Sequence, residues 1–256
     1  MIEPPFESEA GYRSLAEEMM IVLALSLLPN AVYALINLLE VPVPGSTAAL
    51  FDQQVSTTNP WEVVREFLPA IFDLAPVALV FHLARRDGEG LAPFGLGAAG
   101  ILRDLRPGIA AGLGLAAAAS LAYLVSFRLG LHRFVIPVPP PGRSWTVPLL
   151  VVGAVSTSML EEVIMAGYLL HRLEQLRWSV PLAVGATSVF RGVYHLYQGP
   201  GGMLGNLVLG GIIGWAFYRW RRTWPLVAAH ATLDIAAGLA FMAVQGRCLL
   251  SVCFPS

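Results

Sequence analysis

Apolar residues in this chain gather into long stretches that are separated by short polar, proline-rich or glycine-rich segments. A helix needs about 20 apolar residues to cross the hydrocarbon core of a membrane. Seven stretches approach that length: residues 19–39, 62–84, 107–127, 146–170, 180–198, 203–220 and 224–246. An eighth element has room in residues 41–60 or 88–102. The pattern therefore predicts an all-α, polytopic transmembrane helical bundle of about seven or eight helices, with residues 1–256 as a single membrane domain.

Composition supports a membrane protein and excludes other classes. The chain is 56% apolar and only 13% charged, whereas soluble domains carry about a quarter charged residues. The net charge is −1 and the basic residues form no cluster, so we expect no nucleic-acid partner. The lipid bilayer is the expected environment of most of the chain.

Arginine counts in the connecting segments indicate how the chain is oriented. All 16 basic residues are arginines; four lie in residues 85–106, two in 171–178 and three in 219–222. Since cytoplasmic loops are enriched in basic residues, these counts predict a cytoplasmic N-terminus. Residues 128–145 oppose this scheme, because they hold three arginines, Arg133 among them. We expect a multi-pass protein of a bacterial cell membrane.

Five ionisable residues lie inside the apolar stretches, where an unpaired charge costs several kcal/mol. Glu161 and Glu162 occur together in SMLEEVIMAGYLL, His195 lies in SVFRGVYHLYQG, and AAHATLDIAAG contains His230 and Asp234. Groups of this kind are stable in a membrane when they pair with one another or face water. We therefore interpret the five as one shared polar site, and they are the candidate catalytic residues.

The two adjacent glutamates are expected to have different environments. Neighbouring helical residues point about 100° apart, so one carboxylate should line a cavity and the other should reach sideways to a partner. A carboxylate that lines a cavity can serve as a general base. Tyr168 lies seven residues after Glu161 and thus on the same helical face, which makes it a candidate supporting residue. The alternative is a helix end with two acids that extend to the interface.

The two histidine segments carry partners of their own. Arg191 precedes His195 by four residues and needs an anion, for which the glutamate pair is the nearest candidate in segment order. Arg191 is therefore a second supporting residue. His230 and Asp234 are also four residues apart and share a face. Such a pair can orient an imidazole, bind a metal or polarise a carbonyl.

The second apolar stretch contains a further acid. Asp73 lies near the middle of residues 62–84, where it is far from either end of the predicted span. Two interpretations stay open. Asp73 is either a buried structural polar group or a residue that lines the same cavity as the glutamate pair.

Together these segments resemble the CPBP intramembrane proteases, also called the CAAX prenyl protease/ABI family. The family pattern is EExxxR on one helix, FxxxH on the next, and HxxxN or HxxxD on a later one. This chain has EEVIMA, RGVYH and HATLD in the same order and spacing across residues 155–240, and the family-matching core would be residues 146–246. The chain departs from the pattern twice, with Ala166 in place of the family's arginine and Arg191 in place of its phenylalanine.

The resemblance implies an intramembrane endopeptidase that cleaves a hydrophobic or membrane-associated peptide or protein near the cytoplasmic side. Glu161 would activate a water that His195 helps to hold, and His230 would stabilise the oxyanion. Asp234 would orient His230, carry a proton or bind a metal. The chemistry would be glutamate-type without a metal, or metallo-type with zinc or another divalent metal held by Glu161, His195, His230 and Asp234.

Two other functions are compatible with the same residues. A catalytically inactive family member would act as a membrane scaffold or immunity protein, and the missing arginine at position 166 favours this alternative. A proton-coupled carrier also uses intramembrane Glu, His and Asp side chains. Carriers tend to be built from repeated halves, however, and the sequence shows no internal repeat.

Arg191 is predicted to supply, from a neighbouring helix, the positive charge that Ala166 lacks. We expect Arg191→Glu to abolish activity or folding, because it would place a third acid beside the glutamate pair. We expect partial rescue by Ala166→Arg. Peptidase activity and thermal unfolding of the purified variants measure both effects, and a fully stable and active Arg191→Phe variant would contradict the idea.

Overall fold

The computed structural model describes residues 9–51, 53, 60–98, 100–139, 142–249 and 252–254. The helices within these residues are α1 (Glu9–Ala24), α2 (Leu28–Glu40), α3 (Pro60–Phe72), α4 (Leu74–Arg86), α5 (Ile101–Arg128), α6 (Thr146–Glu162), α7 (Leu170–Gln175), α8 (Val180–Tyr194), α9 (Pro200–Trp220) and α10 (Trp224–Val244). A π-helical turn, Val163–Leu169, joins α6 to α7, and a 3₁₀ turn, Leu196–Gln198, follows α8. Two pairs of short strands complete the described residues: β1 (Thr47–Ala49) parallel to β2 (Phe134–Ile136), and β3 (Cys248–Leu249) antiparallel to β4 (Val252–Cys253).

The predicted all-α polytopic bundle is confirmed. In the described part of the chain, five helices are long and apolar enough to cross a membrane: Trp61–Arg86, Ile101–Arg128, Thr146–Gln175, Pro200–Trp220 and Trp224–Val244. The first predicted span is instead a bent pair, in which the axes of α1 and α2 differ by 56°, and it would form a sixth crossing. The bend coincides with Pro29 in the first turn of α2, since proline has no N–H to continue the preceding helix.

The predicted span at residues 180–198 is shorter than a crossing helix. Helix α8 has 15 residues, which is about 22 Å against a hydrocarbon core of about 30 Å. The eighth element considered at residues 41–60 or 88–102 is not a helix where the structure describes those residues. They hold β1 and turns until α3 and α5 begin, and residues 52, 54–59 and 99 lie outside the described residues.

Large apolar side chains cover the outer surface of the bundle. Leu39 is 87% exposed and Leu102 is 80% exposed. Further exposed apolar side chains lie on α5, α8 and α9: Leu113, Leu121, Val189, Leu204, Val208 and Trp215. Soluble proteins rarely expose apolar patches of this extent. Together with the apolar spans, this surface identifies a multi-pass membrane protein whose outer face is covered by lipid.

Helix α6 and the π-helical turn after it lie at the centre of the bundle. Most of Thr146–Gln175 is buried, and α3, α4 and α10 pack against α6. The buried residues include Ser158, Glu161 and Glu162. Because a buried polar group is stable only with a partner, the fold has to supply partners to these side chains from neighbouring helices.

An ionic network around Arg172 lies at the end of this central segment. Nη2 of Arg172 is 2.6 Å from Oδ2 of Asp87 and 3.2 Å from Oε1 of Glu18, and Nη1 donates to Glu89. His171 contacts Glu89 at 2.6 Å. Partial burial opposes ionisation of Glu89, but the hydrogen bond with His171 and the charge of Arg172 outweigh it and lower the pKa of Glu89 to about 2. The Glu89 carboxylate therefore stays ionised near neutral pH. The network ties α1 and the α4–α5 connection to α7.

Arg133 caps the C-terminal end of α2. Its guanidinium donates to the backbone carbonyls of Asn37 (2.9 Å), Val41 (2.7 Å) and Tyr197 (3.1 Å), and also to the Asn37 side chain. The last carbonyls of a helix have no partner within the helix, and a cation near them is stabilising. Arg133 therefore has a structural role, which accounts for one of the three arginines that oppose the predicted orientation.

Helices α5 and α10 approach closely because two glycines of α5 lie at their contact. A Cβ at Gly112 would lie only 2.4 Å from the carbonyl oxygen of Ala229, and one at Gly108 would lie 2.5 Å from that of Pro225. Small residues allow helix backbones to approach in this way within a membrane. The position of α10, which carries part of the candidate site, thus depends on these glycines.

We expect Gly112→Ala to lower the free energy of unfolding by about 1–3 kcal/mol, because the added methyl group has no space between α5 and α10. Gly114→Ala on the same helix is the matched control, since nothing lies within 4 Å of its added Cβ. The control should leave stability unchanged or raise it slightly. Thermal unfolding in detergent compares the two variants, and equal stability would show that the helices do not meet at Gly112.

Candidate active site

Three helices bring the predicted ionisable residues into one cluster. Glu161 and Glu162 end α6, His195 directly follows α8, and His230 and Asp234 lie on α10. Four of the five side chains are buried, and Asp234 is 34% exposed. The shared polar site predicted from the sequence is therefore present as a spatial cluster of these residues.

The guanidinium of Arg191 lies at the centre of this cluster. Its Nη2 is 2.8 Å from Oε1 of Glu162, 3.1 Å from Oε2 of Glu161 and 3.1 Å from Nδ1 of His230. Two carboxylates repel each other strongly in apolar surroundings, and a shared cation offsets that repulsion. The predicted pairing of Arg191 with the glutamates is confirmed.

The two glutamates differ in environment as their spacing predicted. Glu161 lines a cavity, whereas Glu162 is fully buried and contacts Arg191 and His230. The hydroxyl of Tyr194 donates to Oε2 of Glu161 at 2.8 Å, the same oxygen that Arg191 contacts. Oε1 of Glu161 has no hydrogen-bond partner within the described residues and is accessible from the cavity. One carboxylate oxygen on the cavity wall thus remains available to accept a proton.

Tyr194 flanks His195 and can donate a hydrogen bond, but it was not among the candidate site residues predicted from the sequence. The sequence carried a signal for it, because Tyr194 follows Arg191 by three residues and so shares its face of α8. A tyrosine at helical spacing in an apolar stretch is more often a core residue, however. Only the contact with Glu161 distinguishes the two cases.

His230 lies between two carboxylates. Its Nδ1 is 2.8 Å from Oε1 of Glu162, and its Nε2 is 3.5 Å from Oδ2 of Asp234. A carboxylate oxygen accepts and cannot donate, so Nδ1 carries the proton in its contact with Glu162. Arg191 also donates, which means that its approach to Nδ1 is a contact and not a hydrogen bond in this tautomer. Nδ1–H therefore donates to Glu162, and Nε2 lies near the carboxylate of Asp234 at a distance that is long for a hydrogen bond.

His195 has the opposite arrangement. Its Nδ1 lies 3.0 Å from the backbone carbonyl oxygen of Arg191, so Nδ1 carries a proton and donates it. Nε2 then has a free lone pair. His195 lines the same cavity as Glu161, and its ring is held beside that of Tyr194, with centroids 4.7 Å apart. His195 can therefore accept a hydrogen bond from a molecule in the cavity.

The cavity beside the cluster has a volume of about 1120 Å³. Its walls are mainly apolar and come from α3, α5, α6, α9 and α10. Its polar lining includes Asp73, Thr157, Glu161, His195, His230 and Asp234. Of the two interpretations of Asp73, the structure therefore supports the one in which it lines the cavity.

Tyr168 does not join the site, and this corrects its assignment as a supporting residue. Its hydroxyl donates to Oε1 of Glu18 at 2.9 Å, and Cζ of Arg172 lies 5.4 Å from its ring centroid. The assignment assumed continuous α-helical spacing after Glu161. The π-helical turn Val163–Leu169 adds a residue to the turn, so Tyr168 points to the Arg172 network instead.

Ala166 lies in the same π-helical turn, and the apolar core surrounds it. An arginine at this position would have to enter that core. The structure therefore favours Arg191 as the cation of the site, and it does not favour the partial rescue by Ala166→Arg that helical spacing suggests.

Arg191 lies among the side chains that could group around a metal ion. Within the described residues, ligand atoms of Glu161, Glu162 and His230 lie within 4.8 Å of one another, a set that differs from the predicted ligands by including Glu162 and omitting His195 and Asp234. Nη2 of Arg191 lies within 2.8–3.1 Å of an atom from each of these three residues. The guanidinium thus supplies positive charge to one oxygen of each glutamate, where a divalent cation would otherwise supply it.

These features define a polytopic helical membrane protein with a buried Glu–Arg–His cluster beside an apolar cavity. Residues 143–236, somewhat over a third of the chain, match the family model described as Type II CAAX prenyl endopeptidase Rce1-like. The matched segment contains all five predicted catalytic residues. Over this segment, the match confirms the resemblance to the CPBP/CAAX proteases that the motifs indicated. No curated protein and no solved structure gave a significant match.

We expect Glu162→Gln to lower the free energy of unfolding by about 3 kcal/mol or more, because it removes the charge that pairs with the buried Arg191. Glu161→Gln is the matched comparison. It should cost about 1 kcal/mol, since its side chain borders the cavity and keeps a hydrogen bond with Tyr194. Thermal unfolding of both variants in detergent measures the difference. A larger loss for Glu161→Gln would reverse the assignment of the two carboxylates.

Proposed function

We propose that the protein is an intramembrane endopeptidase of the CAAX prenyl protease type, which hydrolyses a peptide bond in the cavity beside Glu161. The observation that supports this function is the division of the glutamate pair. Glu162 and Arg191 form a fully buried ion pair, while Oε1 of Glu161 is open to the cavity. A general base must reach the proton that it removes, and Glu161 is the carboxylate in position to do so.

In the proposed reaction, a water held between Glu161 and His195 attacks the carbonyl carbon of the substrate. Oε1 of Glu161 takes a proton from this water. Nε2 of His195 accepts a hydrogen bond from the same water and so orients it. Glu161 then gives its proton to the leaving amine as the C–N bond breaks, which restores the carboxylate and yields an acid and an amine.

His230 is the proposed oxyanion donor. Its Nδ1–H is directed to Glu162, and its Nε2 lies beside Asp234 on the cavity wall. A donor placed where negative charge develops contributes about 10²–10³ in rate. An ionised Asp234 has no proton to donate, so we assign it a positioning role. Its negative charge favours a proton on Nε2 of His230, and at 3.5 Å it leaves that N–H free to donate to the oxyanion.

We propose a glutamate-type reaction and not a metallo-type one. The argument is the position of Arg191, whose guanidinium contacts the three groups that would otherwise be the best-grouped metal ligands. It already balances the charge of the carboxylate pair. The proposed steps therefore use the side chains of the chain alone.

We further propose that the N-terminus is cytoplasmic and that the site lies in the cytoplasmic half of the membrane. Glu162 precedes Arg172 by ten residues, or about 15 Å along a helix, and the Arg172 network would face the cytoplasm. The substrate would be a hydrophobic or membrane-associated peptide that enters from the bilayer. Leu204 and Val208 of α9 support lateral entry, because they are exposed on the outer surface and also line the cavity.

We expect Glu161→Gln and His195→Ala to reduce the hydrolysis of hydrophobic peptides by at least about 10², because each variant loses a group that acts on the attacking water. The rate of hydrolysis is measured with purified protein in proteoliposomes and a library of hydrophobic peptides. Glu17→Gln and His82→Ala, at exposed positions on α1 and α4, are the matched controls and should keep full activity. A chelator should leave the wild-type rate unchanged.

Three outcomes would contradict this proposal. If the Glu161→Gln variant hydrolyses peptides at the wild-type rate, Glu161 is not the general base. If the chelator inhibits the wild type, the metallo-type alternative is restored. Absence of hydrolysis by the wild type, with normal folding, would favour the inactive scaffold suggested by the loss of the family's arginine.

A further inference from the structure

Asp73 is a carboxylate on the cavity wall that the proposed reaction does not use. It lies at the junction of α3 and α4, in the middle of the candidate membrane span Trp61–Arg86. Its side chain is partly buried and lines the same cavity as Glu161. An acid at this depth of a membrane-spanning segment is costly unless it has a partner or a function.

The protein gives Asp73 little compensation. Its Oδ2 lies 3.4 Å from Oγ1 of Thr157 and 3.5 Å from Oγ of Ser156, and both distances are long for hydrogen bonds. The hydroxyl of Ser156 lies closer to the carbonyl oxygen of Gly153, at 3.0 Å. Because a hydroxyl has a single proton, Ser156 donates to Gly153, and only Thr157 remains to donate to Asp73.

No arginine lines the cavity within the described residues, and none forms an ion pair with Asp73. The basic side chains on the cavity wall are three histidines, and each has another partner. His195 is directed to the backbone of Arg191, His230 to Glu162 and Asp234, and His132 to the backbone of its neighbour. The cation that would balance Asp73 is therefore not supplied by the cavity wall.

We propose that Asp73 binds a cationic side chain of the substrate, a lysine ammonium or an arginine guanidinium, next to the bond that is cut. This inference rests on the proposed function and specifies its substrate class as an apolar peptide with one basic residue. Carboxylates form strong, charge-assisted hydrogen bonds with both cations. The apolar walls of the cavity would take the neighbouring side chains.

The position of Asp73 sets where the basic residue lies in the substrate. Thr157, which contacts Asp73, precedes Glu161 by four residues, so the two side chains are about 6 Å apart on one face of α6. An extended peptide spans about 3.4 Å per residue. The basic residue would therefore lie within about three residues of the cleaved bond.

The test compares the binding of two fluorescent apolar peptides, one with a single lysine and one with norleucine at that position. Acetylation removes the N-terminal ammonium, which would be a second cation, and amidation removes the C-terminal carboxylate. Binding to detergent-solubilised protein is measured by anisotropy in a Glu161→Gln background, so that no cleavage interferes. We expect the lysine peptide to bind at least about 10-fold more tightly. Asp73→Asn should abolish that preference, because it keeps the shape and removes the charge.

Glu17→Gln, which removes one charge from an exposed position outside the cavity, is the matched control and should keep the preference. Thermal unfolding verifies that Asp73→Asn folds. Equal binding of both peptides, no binding of either, or a lysine preference that survives Asp73→Asn would overturn the proposal. These results are independent of the endopeptidase assay, since binding is measured without catalysis.

Discussion

The burial of one arginine between two adjacent glutamates is the interaction on which the rest of this structure depends. Glu161 and Glu162 follow each other on the most buried helix of the bundle, where two unpaired negative charges would not be stable. Arg191 contacts both carboxylates from α8 and therefore fixes α8 against the end of α6. With Glu162 paired internally, Glu161 can border the cavity, and the candidate chemistry follows from that asymmetry.

The π-helical turn after Glu162 separates two polar regions of one helix. Before the turn, the carboxylates point to Arg191 and the cavity. After it, Tyr168 and Arg172 belong to the ionic network at the end of the bundle. Such turns are frequent at functional sites, because one extra residue redirects every side chain that follows. Here the turn also places Ala166 in the apolar core, which explains how the chain can lack a charge at that position.

The cavity joins the buried cluster to the lipid-facing surface. Its polar groups lie on α3 and the α3–α4 junction, on α6, in the turn after α8 and on α10, whereas α5 and α9 contribute mostly small or apolar side chains. The close contact of α5 with α10 at Gly108 and Gly112 positions one wall, and the exposed side chains of α9 border the other. An apolar approach that ends at paired acids and imidazoles suits the hydrolysis of a membrane-embedded peptide more than the passage of ions. In a cavity with apolar walls, the additional acid Asp73 bears on which charge a bound substrate would carry.

The sequence by itself determined the helical class, most of the apolar spans, the grouping of five ionisable residues and the different environments of the two glutamates. These features follow from local quantities, namely the length of apolar stretches, the cost of charge in lipid and the 100° step of a helix. Only the tertiary structure decided that Tyr194 enters the site, that Tyr168 leaves it, that Arg133 caps a helix and that α8 is too short to span alone. Those outcomes depend on a π-helical turn and on contacts between helices far apart in the chain, and residue spacing contains no information about either.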